Sequence, residues 1–83
     1  MVIHVTQKHI DDGDPSDCYR CPIALALRET PGLSECSAGK LGLYGVYDTR
    51  PFSIGSPRSV RRFIDAFDNG TDVLEPFTFE LPL

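Results

Sequence analysis

Residues 56–70 read SPRSVRRFIDAFDNG, and the spacing of their apolar side chains decides the fold. Val60, Phe63, Ile64 and Phe67 fall at i, i+3, i+4 and i+7, which on a 3.6-residue repeat makes one continuous apolar stripe. Ser56 stands where a capping hydroxyl is useful, Pro57 suits a first helical position because its missing N–H is not needed there, and Gly70 is placed to end the helix. Immediately downstream, VLEPFTFELPL alternates Phe77, Phe79 and Leu81 with Thr78 and Glu80, the two-residue period of a half-buried strand. Pro76 and Pro82 bound that strand and direct it to a sheet edge. The helix stripe and the strand stripe are expected to meet across one dry interior.

Toward the N-terminus, the β-branched run Val2 to Val5 predicts a short strand. Thr6 can cap a following short helix, with Val5 and Ile10 in the staple positions on either side of the cap and Gly13 at the end. DDGDPSD, residues 11–17, reads as a solvated turn. As a calcium loop it fails, since Ile23 occupies the place where the bidentate glutamate would fall. Pro22 starts a second helix that runs to about Glu29, with Ile23, Ala26 and Leu27 on its inner face, and Thr30-Pro31-Gly32 stops it. From Leu33 to Ile54 the chain turns to glycine, aromatic and β-branched residues. KLGLYGVYD puts Leu41, Leu43 and Gly45 on one side of a strand and Tyr44 and Val46 on the other, with Phe52 and Ile54 in a second strand closing a hairpin. Gly39, Gly42 and Gly45 point to a turn, a bulge or close backbone contact.

The predicted order is β-α-α-β-β-α-β: an α+β fold, a small two-layer domain with helices packed on one face of a largely antiparallel sheet. The N- and C-terminal strands are expected to pair, which would keep both ends ordered. A chain of 83 residues encloses one core, so residues 1–83 are read as a single domain. Twelve acids against eight bases give a net charge of −4, which opposes sequence-independent attraction to nucleic acid or to anionic membranes. The opening MVIHVTQKH is neither a secretory leader nor a membrane anchor, and a cytoplasmic location is expected.

Three cysteines in such a compartment suggest thiols or metal ligands rather than a disulfide framework. Cys18 and Cys21 have the spacing by which two thiolates from one loop reach one zinc ion, and Cys36 with His9 would complete a four-ligand site. A second CxxC or an HxxxH is missing, so zinc is half supported. A thiol-active reading needs a lowered thiol pKa, which Arg20 and a helix start favour and the neighbouring aspartates oppose. The plainer alternative is that Cys21 packs the helix boundary as a small hydrophobe. His4 and His9 lack a neighbouring nucleophile, Ser53, Ser56 and Ser59 lack a GxSxG context, and Gly39 to Gly45 lacks a GK[ST] ending. No enzyme class is indicated, and no cofactor other than the zinc considered above.

Arg58, Arg61 and Arg62 are the one concentrated basic feature, placed near the positive end of a helix dipole, where cations are locally unfavourable. Asp65 and Asp68 are spaced to neutralise part of this patch, which favours a solvated, salt-bridged face over a binding face.

CPIALALRE and SVRRFIDAFDNGTDVLEPFTFELP together resemble a group of small, mostly uncharacterised proteins of actinobacteria and their bacteriophages. The resemblance implies a phage or prophage accessory protein acting in the host cytoplasm, and it brings no catalytic residues. The expectation is a small noncatalytic protein that binds a host or phage macromolecule through Arg58, Arg61 and Arg62 or through the exposed aromatics Tyr44 and Tyr47. A zinc-stabilised or thiol-active module on Cys18, Cys21 and Cys36 is the alternative, and weak nucleic-acid binding through the arginines is a third.

Overall fold

The computed structural model describes residues 1–70 and 73–83. In chain order the elements are β1 (Val2–Val5), α1 (Gln7–Asp12), α2 (Pro22–Glu29), β2 (Leu33–Ala38), β3 (Gly42–Tyr47), β4 (Arg50–Gly55), α3 (Arg58–Asn69) and β5 (Phe77–Glu80). The chain is an α+β fold, as the alternation of patterns implies. The stretch from Leu33 to Ile54 holds three strands, one more than its alternation picks out. The strands form two antiparallel sheets, β1-β5 and β2-β3-β4.

The terminal strands do pair. Ile3 lies opposite Phe79 and Val5 opposite Phe77, so the buried side chains of β1 and β5 share a face. The N-terminal ammonium meets Glu80 Oε2 at 3.1 Å and the Leu81 carbonyl at 3.0 Å, and the Leu81 amide donates back to Met1 at 2.7 Å. α3 lays its stripe on this ribbon, with Phe63 and Phe77 ring centroids 5.0 Å apart and Phe77 and Phe79 6.1 Å apart. Val60, Phe63 and Ile64 are buried in the same core as Ile3, Val5 and Leu81. Such ring contacts add to burial, which for each aromatic is worth up to about 3 kcal/mol.

α2 starts at Pro22 and ends at Glu29, and Ile23, Ala24, Ala26 and Leu27 are all buried. It packs against both β1 and β2, so one short apolar helix ties the two sheets to a common core. α1 is fastened by a capping box in which Thr6 Oγ1 accepts from the His9 amide at 3.4 Å and His9 Nδ1 accepts from the Thr6 amide at 2.9 Å.

Two places in the three-stranded sheet explain residues that alternation alone does not. β2 is irregular between Ser34 and Ser37, where Glu35 takes φ 51° and two residues face one on β3. The residue facing that bulge is Gly45, and a Cβ there would lie 2.9 Å from both Cys36 Sγ and Phe52 Cε1. The second place is the β3–β4 hairpin, closed by the two-residue turn Asp48-Thr49 with φ of 47° and 70°. Two consecutive positive φ values are the mark of a type I′ turn, here built without glycine or asparagine. Counting from its closing pair, Tyr47–Arg50, the hydrogen-bonded pairs are Gly45–Phe52 and Leu43–Ile54, so the backbone of Pro51 faces away from β3. Its missing N–H costs the ladder nothing.

Two local expectations are corrected. Leu41 does not share the inner face with Leu43: it is 91% exposed, because the turn at Gly39, whose amide donates to Gly42, delays the strand until Gly42. Ser56 does not cap α3. Its hydroxyl instead donates to the Gly39 carbonyl at 2.5 Å, and Pro57 takes the capping position with no side-chain bond to offer.

Candidate interaction site

α3 carries Arg58, Arg61 and Arg62 on the surface opposite Val60, Phe63 and Ile64, and all three arginines are exposed. The carboxylates expected to neutralise them are committed elsewhere. Asp65 Oδ1 accepts from Lys40 Nζ at 3.0 Å and from Asn69 Nδ2 at 3.2 Å, while Asp68 Oδ1 accepts from the Ser16 amide at 2.8 Å. Both bonds fasten loops to the helix: Lys40 lies in the β2–β3 turn and Ser16 in the α1–α2 connection. Among the described residues no ion pair engages Arg58, Arg61 or Arg62, so the prediction of a salt-bridged face is overturned. α3 thus begins with three guanidinium groups and no capping side chain at its positive end.

The two tyrosines do not join into one aromatic surface. Tyr44 is 46% exposed and lies across Gly42, where a Cβ would meet its hydroxyl at 2.6 Å. Tyr47, three positions on, points to the other face of the sheet, half-buried against the core and beside Gly32. Its expectation as an exposed aromatic is corrected by that burial.

The four drawn zinc ligands do not converge. His9 is buried, with Nδ1 occupied by the Thr6 amide and Nε2 2.9 Å from Glu29 Oε2, an imidazole joining α1 to the end of α2. Cys36 is on the inner side of the sheet beside Gly45, its thiol donating to the Ser34 carbonyl at 3.4 Å. Cys18 is exposed, and Cys21 is buried at the capping position of α2. Among the described residues no group of three or more His, Cys, Asp or Glu side chains is placed to hold a metal ion. The acidic turn is likewise spoken for: Asp14 pairs with Arg20 at 2.9 Å, and Asp17 accepts from the Tyr19 amide at 2.9 Å.

Burial pushes the Cys21 thiol above its ordinary pKa, against the opposing pull of the Ala24 and Ile23 amides. The Cys36 thiol is raised for the same reason, with Arg28 opposing. Both are therefore neutral thiols at neutral pH. Cys18 and Cys21 line a cleft of about 270 Å³ that also includes Lys40, Ile64 and Asp68, a meeting of loop and helix that no local motif announces.

Comparison of the chain with protein-family models, with curated proteins and with solved structures returned no match.

Proposed function

We propose that this chain is a noncatalytic binding protein that presents Arg58, Arg61 and Arg62 to an acidic surface of a partner protein. The observation that carries the reading is the diversion of Asp65 to Lys40 and of Asp68 to Ser16, which leaves three planar donors facing solvent on a rigid helix. Arginine forks bind carboxylates bidentately and are enriched at interface hot spots. A net charge of −4 opposes a dense, extended polyanion such as nucleic acid, with a charge about every 1.7 Å of helix axis, more than it opposes a local acidic patch of the size three arginines can cover, which favours a protein partner. A noncatalytic role is supported by how the reactive groups are used: His9 has both ring nitrogens engaged, and two of the three thiols are buried and neutral. With the resemblance to small phage-associated proteins, the reading becomes an accessory protein that acts by contact in the host cytoplasm. No helix among the described residues is long and apolar enough to cross a membrane.

The test is recovery of partners from host lysate by the wild-type chain beside an Arg58→Ala/Arg61→Ala/Arg62→Ala variant, followed by titration of the purified partner. Three exposed charge-assisted contacts at roughly 0.5 kcal/mol each predict about tenfold weaker binding by the variant. Equal partners at equal affinity would reduce the face to solvated surface. Retention of duplex DNA with an affinity falling steeply in salt would replace the protein partner with nucleic acid.

A further inference from the structure

Cys18 and Cys21 sit three positions apart within one helix-like turn that precedes α2. The amides of Arg20 and Cys21 both donate to the Asp17 carbonyl, at 3.2 and 2.9 Å, which winds residues 17–21 into a single tight turn. With helical rise and radius, Cα atoms three positions apart in such a turn are about 5 Å from one another. That separation falls inside the roughly 4.4–6.8 Å range over which a disulfide closes without moving the backbone. Both residues line the same cleft, Cys18 exposed and Cys21 buried. Cys21 Sγ is held there by a long contact, 3.9 Å, to the Ala38 carbonyl, a weak bond to give up. Cys36 stands apart on the inner side of the sheet, beside Gly45 and Phe52.

We propose that Cys18 and Cys21 are a redox pair, a dithiol that a small-molecule disulfide converts to an intramolecular disulfide. In the first step the Cys18 thiolate attacks one sulfur of the oxidant RSSR, forming a mixed disulfide and expelling RS⁻. In the second, Cys21 gives its proton to solvent and attacks Cys18 Sγ, forming the Cys18–Cys21 bond and expelling the second RS⁻. The protein loses two electrons and two protons, and RSSR leaves as two RSH. The order of attack follows from exposure: Cys18 meets the oxidant first, and Cys21 resolves from inside. The product locks a turn that seats the end of β2, because the Ala38 amide donates to the Cys18 carbonyl at 2.8 Å. The pair is independent of the arginine face.

The experiment is incubation of the folded chain with glutathione disulfide, acid quench, and mass analysis after tryptic cleavage without reduction. Arg20 lies between the two cysteines, so trypsin severs the chain there and the linkage becomes visible. The expected product is a peptide of residues 9–20 joined to one of residues 21–28, with the intact protein lighter by two hydrogens and Cys36 still free. In Cys21→Ser the reaction is expected to stop at a glutathione adduct on Cys18, and in Cys18→Ser, a change at an exposed position, Cys21 is expected to stay unmodified. A wild-type chain that accumulates the Cys18 adduct without the joined peptides, that links Cys36, or that does not react at all overturns the proposal.

Discussion

Replacing Thr49 by glycine should stabilise the protein, although it removes a side chain from a folded hairpin. Thr49 holds φ 70° at the second turn position, and its exposed side chain takes no part in the core. A left-handed conformation costs a non-glycine residue about 1–2 kcal/mol, with β-branching adding to the strain. Glycine removes that cost and brings its own, about 0.5–1 kcal/mol of extra freedom in the unfolded chain. The difference leaves a net gain of about 0.5–1 kcal/mol. For a chain of this size 1 kcal/mol corresponds to roughly 4–8 °C in Tm, so the melting point should rise by several degrees. Urea unfolding followed by circular dichroism should show a higher midpoint at an unchanged slope, the sign that stability and not compactness has altered. Thr49→Ala is the control: it sheds the β-branching but keeps a Cβ at positive φ, so it should gain less than Thr49→Gly. A Thr49→Gly chain that unfolds at lower urea than the wild type would refute the type I′ assignment and the strain argument with it.

Gly45→Ala should cost about 1–3 kcal/mol, because its Cβ would press on Cys36 Sγ and Phe52 at 2.9 Å; in a Cys36→Ala background the same change should cost measurably less, a coupling that a double-mutant cycle reads directly. Phe63→Ala removes the ring that lies tilted against Phe77, centroids 5.0 Å apart, and should cost about 3–5 kcal/mol, enough to lose most of the native circular dichroism at 37 °C, whereas Arg62→Ala should stay within roughly 0.5 kcal/mol of wild type. Cys21 and Cys36 have raised thiol pKa values in the folded state, so their contribution is complete below the ordinary thiol value of 9.0. It falls as the pH climbs through that value toward the raised one, since the unfolded chain ionises first; stability curves at pH 7 and pH 10 should separate, and Cys36→Ala should narrow the gap. At neutral pH a thiol reagent should label Cys18 well before the other two cysteines, a ranking that peptide mass analysis gives in one time course.

The parts of the fold legible in the sequence are those where one periodicity runs uninterrupted. The stripe Val60, Phe63, Ile64 and Phe67 and the alternation of β5 identify themselves, and so do Pro22 opening α2 and Thr6 capping α1. β2 was hidden because LSECSA contains a bulge that shifts its phase at Glu35. The β3–β4 turn was hidden because Asp48-Thr49 lacks the glycine that usually announces it. Ser56 shows the same limit at one atom: a hydroxyl in a capping position served the Gly39 carbonyl, 17 residues away, and nothing local says so. At the arginine face the residues were legible and their electrostatics were not. Asp65 stands four residues from Arg61, the favourable helical spacing, yet Lys40 and Ser16 claim the two carboxylates through contacts made only once the chain has folded.

The outward-facing backbone of Pro51 has a bearing on how copies of this chain behave when crowded. An open sheet margin normally invites a neighbour's extended segment to zip on, donor to acceptor, and repetition of that step builds fibres. Here the incoming segment would find a donor missing within the first positions of β4 and a rigid ring in its path. Lateral growth along this side is arrested before it can propagate, so concentrated solutions should remain free of cross-β polymer seeded from β4.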